Sequence, residues 1–523
     1  MKRYPVLYPF LFAANFVLLT TVTNLAQMPL DFAVRPLVMV LALTTVLFLG
    51  LRHWMGDSNR AAWLTFLVLV GVLYFQHGYA LASKLLLQGF SLEKRLLFFA
   101  VWAALFVFLG TPAFWRRLAP HAWQVTALLN MIAVAIIIVP VYGIFQFALT
   151  NAGGYHYQSP PLPQIQPQNT PEQLPDIYYI VLDGYARDDV LSRLYDFDNR
   201  PLVEALTRRG FYVVPAAQSN YMHTFLSVAA TLNFDYLNDL AAPLANSSAR
   251  VPFLDLIQHS RSRALLENAG YRSFALSSGL LFTEIETADV YLSPHPSPLN
   301  ELEGLLLSNT LLQLPLEITG QEAYLPGYRA HQERILYAFE TLSQLPAVTG
   351  PKFVFAHIIA PHPPFVFDRT GASIQPDRTY FLGDADGYRG NTAEYLRQYV
   401  DELTFINTLL QQTLDAILAA SETPPIILIQ ADHGPGAYLQ WESAEDSCLW
   451  ERFSIFSAYY LPGDASARLY ETITPVNSFR VIFDAYFGTD LGLLPDRSYF
   501  STWNKPYAFQ DVTEASRVPC EAP

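Results

Sequence analysis

The sequence predicts two parts: an α-helical transmembrane domain of about five helices, then an α/β domain with a mostly parallel sheet covered by helices on both faces. Charge divides the chain near residue 158, since the first part carries 10 basic and 3 acidic residues and the remainder has a net charge of −21. Long apolar segments occur only in the first 150 residues. After residue 175, short β-branched runs alternate with helical segments, which is typical of a parallel sheet.

The membrane prediction is based on five apolar segments that are long enough to be transmembrane helices. The loops that would be cytoplasmic hold six basic residues and the opposite loops hold four, which favours a cytoplasmic N-terminus. The first segment could instead be a signal peptide, but it lacks a clear cleavage site. We therefore expect a multi-pass protein of the bacterial cytoplasmic (inner) membrane whose second domain is periplasmic. The predicted segments are residues 5–25, 36–51, 61–83, 96–115 and 125–149.

A proline-rich spacer, residues 159–175, follows the last apolar segment and should be extended. We therefore predict a transmembrane domain at 1–150, a linker at 151–175 and an extracytoplasmic catalytic domain at 176–523. The overall net charge of −14 argues against nucleic acid as a partner. Two cysteines exclude a disulfide scaffold, but in an oxidising compartment Cys448 and Cys520 could form one bond.

Metal-ligand residues follow three apolar runs of the second domain. Asp183 ends the run 176–182, Asp432 and His433 follow 426–430, and His357 follows 353–356. The carboxyl ends of parallel strands meet at one edge of a sheet, so these side chains could converge. Each residue alone could belong to an ordinary turn or be a buried histidine. Together, carboxylates and imidazoles suit Zn²⁺ or Mn²⁺, with Mg²⁺ or Ca²⁺ and a second ion left open.

Thr224 is the candidate nucleophile. It ends the motif SNYMHT and precedes an apolar helical stretch, where the positive end of the helix dipole stabilises an alkoxide. A metal-coordinated threonine could attack phosphorus or sulfur. Thr224 could also be only the N-cap of that helix.

The motifs VLDGY, SNYMHT, HIIAPHPPF, QADHG and TPVNSFR, in this order, resemble the sulfatase-like hydrolases and transferases of the alkaline phosphatase superfamily. The membrane-anchored layout is similar to that of lipoteichoic acid synthases and phosphoethanolamine transferases. The resemblance implies that Thr224 is both nucleophile and metal ligand, with Asp183 at a position where those transferases have glutamate. It assigns the other metal positions to Asp432 and His433.

The same resemblance gives His362, in the PHPPF motif, a catalytic and substrate-binding role. His357 has no secure counterpart and is assigned with His362 to substrate binding; it could instead bind a second metal or only orient its neighbour. Cys448 is not in the sequence context that sulfatases convert to formylglycine, because Trp450 stands where proline or alanine belongs.

We therefore expect metal-dependent transfer of a phosphorus-containing headgroup, through a covalent threonine intermediate, from a membrane lipid to an envelope glycan or lipid. One alternative is a phosphodiesterase, phosphatase or sulfatase-like hydrolase that does not transfer the group. The other is a non-catalytic membrane protein of envelope assembly.

Overall fold

The chain forms two compact units in a computed structural model. A helical unit comprises residues 1–154, 297–330 and 376–380, and an α/β unit comprises 155–296, 331–375 and 381–523. The predicted boundaries at 150 and 175 remain a prediction, and most of the predicted linker lies outside the described residues. The structure describes residues 5–87, 92–151, 161–164, 174–245, 247–294, 296, 299–319, 327–374, 380, 382–384, 388 and 390–521.

Helices account for most of the regular structure and are numbered here in chain order. They are α1 Tyr8–Asn24, α2 Val34–Met55, α3 Ser58–Leu73, α4 Phe75–Ala82, α5 Leu92–Gly110, α6 Pro112–Leu118, α7 Ala122–Thr150, α8 Asp188–Leu194, α9 Arg200–Arg208, α10 Thr224–Asn233, α11 Asn238–Leu244, α12 Val251–Gln258, α13 Arg261–Asn268, α14 Glu301–Ser308, α15 Gln313–Thr319, α16 Tyr328–Gln344, α17 Thr392–Ala420, α18 Leu449–Phe453 and α19 Pro475–Tyr486.

Within the described residues of the helical unit, two helical stretches are long and apolar enough to cross a membrane, Leu30–Met55 and Pro112–Thr150. A third span is formed if α3 and α4, which meet at a bend of 59°, count together. The predicted segments 5–25 and 96–115 are helical, but α1 has only 17 residues and α5 begins with three charged residues. The count of five transmembrane helices is therefore not confirmed.

The α/β unit contains a seven-stranded sheet in the order β2-β7-β6-β1-β5-β3-β4. Pairing is parallel from β6 to β4, and β7 is antiparallel to both β6 and β2. The prediction of a mostly parallel sheet is confirmed. The strands are β1 Ile177–Leu182, β2 Tyr212–Val213, β3 Arg272–Leu276, β4 Val290–Leu292, β5 Lys352–Ile358, β6 Ile426–Gln430 and β7 Ser457–Tyr460, with β8 Tyr499–Thr502 and β9 Lys505–Asp511 in a separate two-stranded sheet.

The centre of the sheet positions the candidate site. Every residue of β1, β5 and β6 is buried, which requires cover on both faces of the sheet and explains why their sequences are mostly apolar. Val181 of β1 pairs with His357 of β5 and with Gln430 of β6. The residues that follow β1 and β6 therefore emerge beside the end of β5.

A disulfide joins Cys448 and Cys520, whose Cα atoms are 5.8 Å apart, and this confirms the predicted bond. Cys448 is also the N-cap of α18, where its sulfur accepts a hydrogen bond from the Glu451 N–H at 3.4 Å. The bond ties this helix to the C-terminal segment. It also makes Cys448 unavailable for conversion to formylglycine.

Replacing both cysteines with alanine should lower the stability of the α/β unit by up to about 4 kcal/mol, because the bond closes a loop between positions 72 apart in the unfolded chain. Pulse proteolysis in urea can follow the α/β fragment of the full-length protein in detergent. Alkylation of the unfolded, unreduced wild type serves as the control and should label neither thiol. An unchanged urea midpoint would contradict the prediction.

Candidate active site

Three buried side chains converge at the carboxyl ends of the central strands. Asp183, His357 and Asp432 each offer a ligand atom, and these atoms lie within 4.8 Å of one another. Asp183 Oδ1, His357 Nε2 and Asp432 Oδ2 make no hydrogen bond within the described part of the chain. Their charge contacts, at 3.3 to 3.7 Å, are with one another and with His433. Because buried polar atoms without hydrogen bonds are costly, two carboxylates and an imidazole in this arrangement fit a divalent cation.

The turn after β1 brings the two carboxylates together. Gly184 has φ +70°, a conformation that glycine adopts without strain, and its N–H donates to Asp432 Oδ1 at 3.2 Å. The Asp183 N–H donates to the Ile358 carbonyl oxygen at 3.0 Å, which continues the pairing of β1 with β5. The Asp-Gly sequence is thus a turn that also presents Asp183 to the site.

His433 joins this group through its Nε2 atom. Nε2 lies 3.3 Å from Asp432 Oδ2 and 3.7 Å from Asp183 Oδ1. Its Nδ1 lies 2.9 Å from the Gly434 carbonyl oxygen, which fixes the proton on Nδ1 because a carbonyl can only accept. Nε2 therefore directs its lone pair toward the carboxylates, as a metal ligand or hydrogen-bond acceptor would.

Thr224 lies beside His433, with its Oγ1 3.1 Å from His433 Nε2. Thr224 is the first residue of α10, and the N-cap position belongs to His223, whose side chain makes no capping hydrogen bond. The interpretation of Thr224 as an N-cap is therefore wrong. Its hydroxyl is at the positive end of the helix dipole and faces the carboxylate and imidazole group.

His362 approaches from the loop after β5, and its ring centre is 6.2 Å from that of His433. Its Nε2 is 3.8 Å from Asp384 Oδ2, and its Nδ1 is 2.5 Å from the Pro363 carbonyl oxygen. The same Asp384 oxygen accepts a hydrogen bond from Arg452 Nη1 at 2.7 Å. Asp384 thus lies between His362 and a buried arginine.

His357 is held from its other side by Thr283, whose Oγ1 is 2.8 Å from His357 Nδ1. His357 Nε2 is 3.3 Å from Asp183 Oδ2. The structure therefore brings together Asp183, Thr224, Asp432 and His433, as predicted for the metal site, and adds His357 to them. The assignment of His357 to substrate binding remains a prediction, and its geometry favours a role as metal ligand.

Burial and mutual repulsion control ionisation at the site. Burial, and then the neighbouring Asp183 carboxylate, raise the pKa of Asp432 to about 6. Burial raises the pKa of Asp183, but the surrounding histidines, led by His362, outweigh burial and lower it overall. Burial and then the charge of Arg452 lower the pKa of His433 well below its usual value. His433 is therefore neutral and able to act as a ligand.

Sequence reasoning missed Thr283, Asp384 and Arg452 as parts of the site. Arg452 is buried on α18 and also donates to the carbonyl oxygens of Gly434 and Met222 at 3.0 and 2.9 Å. No local pattern distinguishes these residues from ordinary polar loop residues, since each reaches the site through a long-range contact.

Taken together, the parallel sheet, the adjacent hydroxyl and a buried group that could bind a metal ion are features of an enzyme that acts on sulfuric or phosphoric esters. Residues 175–479 match the family model for sulfatase, so the chain belongs to the sulfatase family. The predicted resemblance is therefore confirmed. No curated protein matches the chain.

Solved structures with a similar fold have low sequence identity. The C-terminal periplasmic domain of EcEptC from Escherichia coli, in complex with Zn, is 12% identical over 67% of this chain and 96% of that chain, with a TM-score of 0.42. The periplasmic domain of phosphoethanolamine transferase EptC from Campylobacter jejuni is 11% identical over 59% and 88%, with a TM-score of 0.34. Phosphonate monoester hydrolase of Agrobacterium radiobacter is 13% identical over 62% and 80%, with a TM-score of 0.40.

Asp432→Asn and His357→Ala should each lower the metal content of the purified protein, because each removes a ligand atom from the buried group. Elemental analysis of the full-length protein measures this directly. Asp189→Asn is a matched control, since that carboxylate is exposed and pairs with Arg187. Equal metal content in the wild type and both site variants would remove these residues from the metal site.

Glu402, which binds the loop that carries His362, should make the stability of the folded protein depend on pH. Its Oε2 accepts hydrogen bonds from the N–H groups of Val366 and Phe367 at 2.6 and 3.2 Å, and burial raises its pKa to about 8. The folded protein therefore keeps a proton that the unfolded chain releases near pH 4.5. Binding this proton more tightly in the folded state stabilises the protein. The stabilisation is full below pH 4.5 and is lost as the pH rises through 8.

Glu402→Gln removes the titration and keeps an acceptor oxygen, so the variant should lose less stability than the wild type between pH 5 and about 8.5. Urea midpoints of the α/β unit at several pH values measure the difference. Glu394→Gln, a substitution of a partly exposed glutamate in the first turn of the same helix, should show the pH dependence of the wild type. Parallel curves for Glu402→Gln and wild type would contradict the prediction.

Proposed function

We propose that this sulfatase-family enzyme transfers a phosphorus-containing headgroup from a membrane lipid, through a covalent adduct on Thr224, to an envelope glycan or lipid. One observation carries the proposal: the Thr224 hydroxyl lies at a helix N-terminus, 3.1 Å from His433 Nε2 and beside a buried carboxylate and imidazole group. A hydroxyl in this position can act as a nucleophile only if its proton is removed and the developing charge is stabilised.

Asp183, Asp432, His433 and Thr224 would hold one divalent ion, with His357 as a further ligand. Zn²⁺ or Mn²⁺ suits this mixture of oxygen and nitrogen atoms best. When bound, such an ion lowers the pKa of the threonine hydroxyl and stabilises negative charge on the phosphoryl oxygens.

The reaction proposed has two displacements. Thr224 Oγ1 gives up its proton to solvent and forms a bond to phosphorus, while the bond from phosphorus to the lipid oxygen breaks and that oxygen takes up a proton. The acceptor hydroxyl then gives up its proton and attacks the same phosphorus, the bond from phosphorus to Thr224 Oγ1 breaks, and Thr224 regains its proton. His362, held against Asp384, would donate a hydrogen bond to a phosphoryl oxygen or a proton to the leaving oxygen in the first step.

The membrane attachment supports a lipid as donor. We propose five transmembrane helices, a cytoplasmic N-terminus and a periplasmic α/β unit in the bacterial inner membrane, with α1 and α5 as the two additional spans. Residues after 158 have a net charge of −21, so their overall field repels anions. A phosphate substrate would therefore depend on the local cation, and nucleic acid is not an expected partner.

Hydrolysis without transfer requires the same residues, because the two reactions differ only in whether water or another hydroxyl attacks the intermediate. It remains the alternative within the proposal. A non-catalytic role in envelope assembly is disfavoured, since a complete set of ligand residues is buried around a hydroxyl and such residues are costly to keep without a chemical use.

Thr224→Ala should reduce turnover by ~10³ or more if the covalent route is the only one, because no other hydroxyl would replace the nucleophile. Stability should change by no more than about 1 kcal/mol, since the side chain caps no helix. Activity is measured on mixed lipids with labelled headgroups, and the adduct is mapped by mass spectrometry.

Thr231→Ala is the matched control, the same substitution seven residues later on α10, where the hydroxyl donates to the Ser227 carbonyl oxygen at 2.8 Å and also hydrogen-bonds to Tyr179. It should keep near-normal activity. Near-normal activity of Thr224→Ala, or a label on Ser219 or Ser227, would show that the nucleophile is assigned wrongly.

A further inference from the structure

We propose that residues 299–319, here called the leucine segment, are embedded in the outer leaflet of the lipid bilayer and form a second membrane attachment of the protein. In the sequence they lie between β4 and β5, far from the predicted transmembrane segments. In the structure they belong to the helical unit. The partner of their exposed side is the hydrocarbon of the membrane.

The first observation is a backbone contact at the break between α3 and α4. The Leu311 N–H donates to the Val72 carbonyl oxygen at 2.8 Å, two residues before the bend. Inside a bilayer, a broken helix is tolerated only where protein supplies partners for its freed backbone groups. Val72 lies roughly 21 Å along α3 from Ser58, the first residue of that helix. This distance is shorter than the ~30 Å thickness of the hydrocarbon layer. Leu311 therefore reaches membrane depth.

A second contact fixes the start of the segment beside the span Leu30–Met55. Glu303 of α14 is buried and forms a two-point ion pair with Arg35, at the first turn of α2. Asn300 Nδ2 donates to the Phe32 carbonyl oxygen at 3.2 Å, and Asn300 caps α14 together with Glu303. Glu303, the one buried carboxylate in α14, is thus paired with Arg35 at the start of α2.

The composition of the segment fits hydrocarbon. Residues 305–316 contain no charged side chain. The polar side chains of Ser308, Asn309 and Thr310 all donate to backbone carbonyl oxygens within the segment itself, at 2.8 to 2.9 Å. These three polar groups therefore have partners without water, as a segment in lipid requires.

The apolar side chains point in two directions. Leu302, Leu306 and Leu314 are buried within the helical unit, whereas Leu312 and Ile318 are 52% and 59% exposed. Side chains of α2, which lie in a candidate membrane span, are exposed to the same degree. Large apolar groups so exposed are expected where lipid covers them. Continuity with the membrane span therefore argues for lipid rather than a second copy of the chain.

Depth-dependent quenching tests the proposal in the full-length protein. Leu312→Cys and Ile318→Cys, each carrying an NBD label, are placed in phosphatidylcholine vesicles with a spin label at acyl carbon 5. The native cysteines are joined to each other and do not react. Leu43→Cys on α2 is the membrane control, and Leu336→Cys, an exposed leucine of α16 in the α/β unit, is the aqueous control.

Both labels should be quenched at least half as strongly as the label at position 43 and several-fold more than the label at 336. Quenching at 312 and 318 that equals the value at 336 would overturn the proposal, whether water or a second copy covers the segment. If position 43 is also unquenched, the membrane placement of the helical unit fails as well. The assignment of Thr224 would be unaffected by either result.

Discussion

The parallel pairing of β1 with β5 on one side and with β6 on the other is the constraint on which the site depends. It places three strand ends at one edge of the sheet, so Asp183, His357 and Asp432 meet although they are far apart in sequence. The Asp183 and Asp432 carboxylates repel each other at this short distance, and burial strengthens the repulsion. The strands hold the two side chains together despite this repulsion, and a bound cation would offset it.

The second layer of the site limits how its side chains can rotate. Thr283 holds His357, the Gly434 carbonyl oxygen holds His433, and Asp384 lies between His362 and Arg452. Partners of this kind orient ligand histidines and fix their tautomers. Arg452 lies on α18, whose N-cap is a disulfide cysteine, so the outer layer of the site is tied covalently to the C-terminal segment.

Much of the candidate site could be predicted from the sequence because its ligands follow apolar strands directly. Asp183 and the Asp432-His433 pair interrupt runs that would otherwise continue as core, which is a local signal. Asp384 could not be found this way, because its role depends on a contact with a residue 68 positions away. The alternative that Thr224 is only an N-cap does not hold, because α10 begins at Thr224 and its N-cap is His223. The span predicted at 96–115 is not confirmed, because α5 carries three charged residues in its first turn and ends at Gly110.

The discontinuity of the helical unit imposes an order on its assembly. Residues 155–296 separate the first seven helices from the leucine segment in the chain. At a synthesis rate of about 5–20 residues per second, the Val72 carbonyl would wait on the order of tens of seconds for the Leu311 N–H. In the proposed topology, the bend between α3 and α4 would lie in the membrane without this donor during that interval. The helical unit can therefore be completed only after residues 155–296 of the α/β unit have been synthesised.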